Sequence, residues 1–305
     1  MILLDFSAII FAAIHVDIKG GTKPNFEYIR HLALNTIRHQ NNMHKREYGE
    51  MYLIFDSKSW RQSAFPLYKW ARQHDREINP DQDWEVLFEM VEEIKRTLIE
   101  HFPYPSVEVK FAEADDIIGV MCRNAKEKVL VSSNDKDFGG LLKYKRVSQY
   151  RPSQKSFLEI ADPVRFEYEL IMKGDKSDGV PNIFSPDDFL KQQVLDKEAG
   201  LKPQRAKPVS QKYMDSMWEV YSSNDEALIE KEFGPLYKNF RRNRRLVSLD
   251  WIPDILVDSI NKQLQNLTRQ PIMKAMEYMT TNRMTLMAHH LGDFEPNRTL
   301  KTSLI

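Results

Sequence analysis

Short apolar runs alternate with longer amphipathic stretches through the first half of the chain. Ile2–Leu4, Met51–Phe55, Val107–Phe111 and Val129–Val131 are brief and largely apolar, the pattern of buried strands. Between them, apolar residues recur three and four positions apart, which predicts helices. In Phe26–Met43 the residues Ile29, Leu32, Ala33, Thr36 and Ile37 share one face; in Trp84–His101 it is Leu87, Val91, Ile94 and Leu98. A third helix begins near Glu113. Strands alternating with helices predict an α/β fold with a mostly parallel central sheet flanked by helices.

The second half reads differently. Pro163 marks the first turn of a helix to Lys173 with Asp162 as its N-cap. Helices are also expected over Ser210–Tyr221, Asp225–Arg242 and Asp254–Leu267, with a loop over Lys197–Pro208. The expected division is a core over 1–180 and a mainly helical region over 181–305. Within the core, 57–105 is long for one crossover. It holds a basic, aromatic part (Trp60–Arg72) and then a polar stretch, Gln73–Asp83, expected to be a mobile loop. Glu295–Ile305 is expected to be a loosely held tail.

Charge and cysteine content narrow the setting. Lys plus Arg and Asp plus Glu both number 44, so a nucleic-acid binder would have to keep its acids in one place and its bases in another. The single cysteine, Cys122, excludes an intrachain disulfide and a cysteine zinc site. No apolar run approaches the roughly 18 residues of a membrane span. A soluble, intracellular, monomeric protein is expected.

The acids carry the chemistry. Asp5 follows Leu3 and Leu4, Asp56 follows Phe55, and Asp135 and Asp137 follow the Val129–Val131 run. In an open parallel sheet, ligands bind outside the carboxyl ends of the strands. These acids therefore converge on one edge, and the Val107–Phe111 run leads into Glu113, Asp115 and Asp116 at the start of the helix that follows it. Crowded carboxylates repel one another, and a divalent cation resolves the conflict. Oxygen-only ligands point to Mg²⁺, with Mn²⁺ as a substitute. Two such ions can activate water and stabilise the leaving oxygen of a phosphodiester. Any one of these acids could equally cap a helix. Asp175 and Asp178, in Gly174–Pro181, have the chemistry of an ordinary turn as well as of a site.

Five motifs in order resemble the flap endonuclease (5′ nuclease) family, and most of all its bacteriophage ribonuclease H members: Ile54-Phe55-Asp56, Tyr68-Lys69 with Arg72, Glu113-Ala114-Asp115-Asp116, Ser132-Ser133-Asn134-Asp135-Lys136-Asp137, and Gly174-Asp175 with Asp178. The resemblance implies a PIN-like nuclease core, a helical arch within 57–105 and a DNA-binding helical C-terminal region. It implies two Mg²⁺ ions. Asp5, Asp56, Glu113 and Asp115 would serve the first, and Asp135, Asp137 and Asp178 the second, with Asp175 and Asp116 assisting through water. It implies 5′ to 3′ cleavage of RNA–DNA hybrids, duplex DNA and 5′ flaps, including removal of RNA primers, with a single-strand-binding protein and a sliding clamp as partners. The family's second glycine pair after the Gly-Asp-x-x-Asp step has no counterpart here.

Positive charge is concentrated in two places. Arg61, Lys69 and Arg72 are interleaved with Trp60, Phe65, Tyr68 and Trp70, which suits phosphate contacts and base stacking by Tyr68, or an amphipathic helix with a solvated basic face. By resemblance Lys69 and Arg72 steady the scissile phosphate, beside Asp115 as a catalytic residue. Arg241, Arg242, Arg244 and Arg245 suit the backbone of a duplex, or again a solvated face. Two rival functions stay open: another Mg²⁺ phosphohydrolase built on Asp135 and Asp137, and a non-catalytic DNA-binding subunit.

Overall fold

The computed structural model describes residues 1–18, 24–78 and 84–297. The tip of the expected mobile loop (79–83) and the end of the tail (298–305) lie outside the described residues.

The chain folds as two compact units, the first from Met1–Lys58, Asp83–Glu159 and Asp254–Ile305, the second from Ser59–Gln82 and Ile160–Pro253. A six-stranded sheet organises the first, in the order β3-β2-β1-β4-β5-β6. Its strands are β1 (Ile2–Asp5), β2 (Met51–Ile54), β3 (Ser106–Val107), β4 (Val129–Ser132), β5 (Val147–Arg151) and β6 (Ser156–Phe157). β1 pairs in parallel with β2 and β4, β2 with β3, and β4 with β5; only β5 and β6 run antiparallel. The expected fold class is therefore the observed one.

β1, β2 and β4 are buried at every position. That is why their sequences are short apolar runs without alternation: helices cover both faces. Each fully buried Leu or Ile there contributes on the order of 1.5–3 kcal/mol. The core around them takes Ile29, Ala33 and Ile37 from the Phe26–Tyr48 helix, and Leu87, Ile94 and Leu98 from the Trp84–His101 helix. Ala275 and Met279, from the Ile272–Thr281 helix near the end of the chain, complete it.

Several elements differ from expectation. The Val107–Phe111 run is strand only at Ser106–Val107. After Val107 the chain turns, the Ala112 amide donating to Val109 O at 3.0 Å, and Phe111 sits at φ 69°. Gln73–Ile78, expected as loop, completes the Trp70–Ile78 helix. Asp225–Arg242 is not one helix but two, Glu226–Phe233 and Tyr237–Val247. They are separated at Gly234 (φ 50°) and Pro235, which lacks the amide an unbroken helix needs. The Phe6–Ile18 helix shows no amphipathic stripe because it is apolar on nearly every side.

The second unit is helical. Its core joins Tyr168, Ile171 and Met172 to Met214, Met217, Ile229, Phe233 and Phe240. The Pro163–Lys173 helix begins as expected, Asp162 accepting the Arg165 amide at 2.9 Å.

Candidate active site

Parallel register decides where the first group of acids stands. Asp5 is level with Ile54 on β2, and Leu4 is level with Ser132 on β4. The chain therefore leaves β1, β2 and β4 at the same edge, carrying Asp5, Asp56 and Asp135 with it. β1 lies between β2 and β4, where the strand order reverses, and such a switch point opens a crevice in an open α/β sheet.

Each acid is oriented by the protein. Asp5 is buried and accepts the Ala8 amide at 3.2 Å and the Ser133 hydroxyl at 2.8 Å. Asp56 accepts the Ala114 amide at 2.7 Å and the Ser7 hydroxyl. Asp135 accepts the Asp137 amide at 2.9 Å, and its own amide donates to Ser133 Oγ at 3.1 Å. Ser133 thus links Asp5 to Asp135. Gln149, fully buried on β5, donates to Ser133 O at 3.1 Å and to Asp135 O, tying the loop to the sheet. Glu113 and Asp116 form a reciprocal capping box at the head of the Ala114–Asn124 helix, the Glu113 amide donating to Asp116 Oδ2 at 3.0 Å.

The electrostatics of this group run one way. Burial, and then the charge of Asp56, lifts the Asp5 carboxyl to about 6, against the bonds from Ser133 and Ala8. Asp115 is lifted well above the carboxylate range, first by burial and then by Asp5, Glu113, Asp56 and Asp135, all in the same direction. The carboxylates are close enough to act on one another's charge. Even so, no three His, Cys, Asp or Glu side chains among the described residues are drawn together as a ready metal-binding group.

The second unit holds its acids differently. Asp175 closes the Gly174–Pro181 turn, accepting the Ser177 amide and hydroxyl, each at 2.7 Å, and the Asp178 amide at 3.2 Å. Asp178 accepts from Arg72 Nη2 at 2.7 Å and from the Tyr68 hydroxyl at 2.8 Å, with Lys69 Nζ at 3.7 Å. Burial raises the Asp178 carboxyl, while the charges of Lys69 and Arg72 and the Tyr68 bond pull it down.

Other basic and aromatic residues are not where the sequence put them. Tyr68 is 2% exposed and packs with Phe65, Val180 and Leu246, so its ring is not open to a base. Arg61 is also 2% exposed; its Nε donates to Leu246 O at 2.9 Å. The arginine cluster divides by helical face. Arg242 pairs with Asp187 at 2.5 Å and donates to Pro181 O at 2.9 Å. Arg244 is buried, pairs with Glu226 at 2.6 Å and lies 4.1 Å from the Trp251 ring centroid. Arg241 and Arg245 are exposed, four residues apart, with exposed Lys238 completing their face.

Residues 1–169 match the family model described as the 5′-3′ exonuclease N-terminal resolvase-like domain. The chain belongs to this 5′-3′ exonuclease family. Residues 167–294 of the nuclease match the model of the T4 RNase H C-terminal region. Over 304 residues it is 27% identical to the Ribonuclease H of Enterobacteria phage T4, across 96% of this chain and 95% of that one. The same fold occurs in the bacteriophage T5 flap endonuclease crystallised with DNA and metal ions (TM-score 0.58, 17% identity, 87% of this chain and 96% of that one). It occurs again in the T5 5′-exonuclease with zinc bound (TM-score 0.57, 18% identity, 87% and 97%). The resemblance read from the five motifs is thereby shown.

Ser133 and Gln149 are the supporting residues of the nuclease that sequence reasoning missed. Ser133 lay inside a quoted motif, but a serine between strand and acid has no signature of its own. Gln149 sits on a strand that no apolar run announced.

Proposed function

We propose that the nuclease is a Mg²⁺-dependent 5′ to 3′ exonuclease and flap endonuclease acting on RNA–DNA hybrids, duplex DNA and 5′ flaps. Its biological task is removal of RNA primers from lagging-strand fragments, beside a single-strand-binding protein and a sliding clamp. The observation that carries the reading is the setting of Asp115. Burial and the carboxylates of Asp5, Glu113, Asp56 and Asp135 all disfavour its anion, and the donors those carboxylates offer are oxygens. A hard divalent cation fits that set, because its charge offsets their combined effect and favours the anions. Asp5, Asp56, Glu113 and Asp115 would hold one ion, and Asp135 and Asp137 would serve a second. Asp116 supports them through the capping box. When bound, such ions supply an activated water and neutralise charge on the leaving oxygen.

The rest is done by the chain. Ser133, Ser7 and the Ala8 and Ala114 amides hold Asp5 and Asp56 in fixed orientation. Lys69 and Arg72 offset charge on the phosphoryl group, and Arg241 and Arg245 contact phosphates of the duplex.

The test is a 5′-labelled flap and a 5′-labelled RNA–DNA hybrid, each incubated with Mg²⁺ and with EDTA. Short labelled products with Mg²⁺, and none with EDTA, are expected. Cleavage that persists in EDTA would remove the metal from the reading. Phosphomonoester hydrolysis without strand cleavage would replace a nuclease of 5′ ends by a phosphatase.

A further inference from the structure

Two turns of the second unit are built against each other. The Lys69 amide donates to Asp178 O at 2.8 Å, and Arg72 Nε donates to Ser177 O at 3.1 Å. Gly179 sits at φ 75°, where an added Cβ would lie 2.6 Å from Leu67 O, so the contact is too close for any side chain. Lys69 itself is held at φ 56°, a conformation non-glycine residues seldom adopt. Phe65, Tyr68, Val180 and Leu246 fill the space beneath. The backbone of Asp178 is therefore pinned from both sides: its amide by Asp175, its carbonyl by Lys69. Only its carboxylate is left to rotate.

That carboxylate meets a donor set with the chemistry of a phosphate site. It receives one guanidinium nitrogen, one phenol hydroxyl and a nearby ammonium. Arg, Lys and hydroxyl donors recognise a phosphoryl group in the same way. A groove of about 620 Å³ opens alongside, lined by Arg72, His74, Lys176, Ser177 and Glu198 among others, so a strand has room to approach Arg72. Two anions cannot share this half-buried cradle without strong repulsion.

We propose that Asp178 is an internal stand-in for a substrate phosphate: its carboxylate occupies the Lys69–Arg72 cradle in the free protein, and a nucleic-acid phosphate displaces it by rotation of the side chain alone. The inference rests on the reading of Lys69 and Arg72 as phosphate-binding cations. It deepens that reading by making the cradle self-blocked. No bond is made or broken in the exchange. The carboxylate is released only when a phosphate arrives, so an acid in this turn becomes available to a cation together with the substrate and not before.

The experiment measures binding without cleavage. A short single-stranded DNA with a 5′-phosphate and a 3′ fluorophore is titrated in EDTA with wild type, Asp178→Asn and Asp175→Asn, and read by fluorescence anisotropy. Removing the competing anion should tighten binding by Asp178→Asn on the order of tenfold, since apparent affinity scales with the fraction of open cradle. Asp175→Asn removes the same formal charge from the same turn but leaves the Asp178 carboxylate in the cradle, and should change binding by no more than about twofold at moderate salt. Adding Lys69→Ala to Asp178→Asn should abolish most of the gain. Equal gains in the two single variants would reduce the effect to general charge and overturn the proposal. So would unchanged or weaker binding by Asp178→Asn, which would make the carboxylate a brace that the cations need. Asp178→Ser, which keeps the same backbone bonds, is read in parallel; failure of both Asp178 variants to fold would make the residue a folding element and also overturn the proposal. The wild-type flap assay with Mg²⁺ is separate. Its failure would overturn the nuclease reading, while these EDTA titrations would still decide whether the cradle is blocked.

Discussion

Asp115 and Asp178 are both acids whose carboxyls burial pushes upward, but they live among opposite neighbours. Around Asp115 stand Asp5, Glu113, Asp56 and Asp135, all of which add to the shift. Around Asp178 stand Lys69, Arg72 and Tyr68, which oppose it, and Asp175, whose smaller effect adds to it. The first unit gathers negative charge at the ends of its parallel strands and leaves it to be balanced from outside. The second unit balances its acid within one pair of turns. On the proposed reading the same residue type has two uses: a place for a cation in one unit, and a partner for cations in the other.

The sharpest way to break this contrast is Asp115→Asn. Cleavage of a 5′-labelled flap with Mg²⁺ should fall about a thousandfold or more, the scale of losing a preorganised charge at the reacting centre. Substrate binding in EDTA should stay measurable. A rate near that of wild type would take Asp115 out of the site.

Next in size is Arg244→Ala. It removes a buried guanidinium from Trp251 and from the half-exposed Glu226, and should cost on the order of 2 kcal/mol in urea unfolding, mostly through lost packing and ring contact. A loss below about 0.5 kcal/mol would return Arg244 to the exposed class of surface substitutions.

A third test uses pH. The Asp5 carboxyl rises from an ordinary 3.8 to about 6 in the fold, and Asp115 moves the same way. Between those values the folded chain keeps protons that the unfolded chain has released. Metal-free stability should therefore fall as pH rises from about 4 through 6, with Asp115 adding to the fall in the same direction, the sign linkage requires. In EDTA at neutral pH, Asp115→Asn should be more stable than wild type by about 1–3 kcal/mol, with the gap closing toward pH 4. Mg²⁺ should raise the melting temperature of wild type and do so far less in the variant. A variant less stable than wild type in EDTA would mean that the acids are already compensated.

The smallest expected effect concerns the exposed arginines. Arg241→Ala with Arg245→Ala should leave stability within about 0.5 kcal/mol. The pair should weaken duplex binding and lower the slope of log affinity against log salt by about 2. An unchanged slope would make this face solvated and nothing more.

Much of the architecture was legible before the fold. Strands buried on both faces must be short apolar runs, so β1, β2 and β4 announced themselves, and the acids that follow them had to share an edge once the sheet was parallel. The helices at Phe26 and Trp84 were readable from three-to-four spacing and the one at Pro163 from its Asp162 cap, because both signals act locally. β5 was not readable, because Val147–Arg151 mixes apolar and polar residues and owes its burial to β4. The helix at Ile272–Thr281 gave no hint that it would join the core around a sheet whose strands begin at residue 2.

The amino-acid sequence by itself determined which residues could carry the chemistry, since acids at strand ends and motifs in fixed order are properties of the chain. Only the tertiary structure decided their neighbours. It buried Arg61 and Arg244 and half-buried Arg242 as braces, left Arg241 and Arg245 on the surface, closed Tyr68 to bases, and set Asp178 against Lys69 and Arg72. Charge and ring chemistry are written into a side chain, but exposure and partner depend on what packs beside it, and that is set by segments far away along the chain.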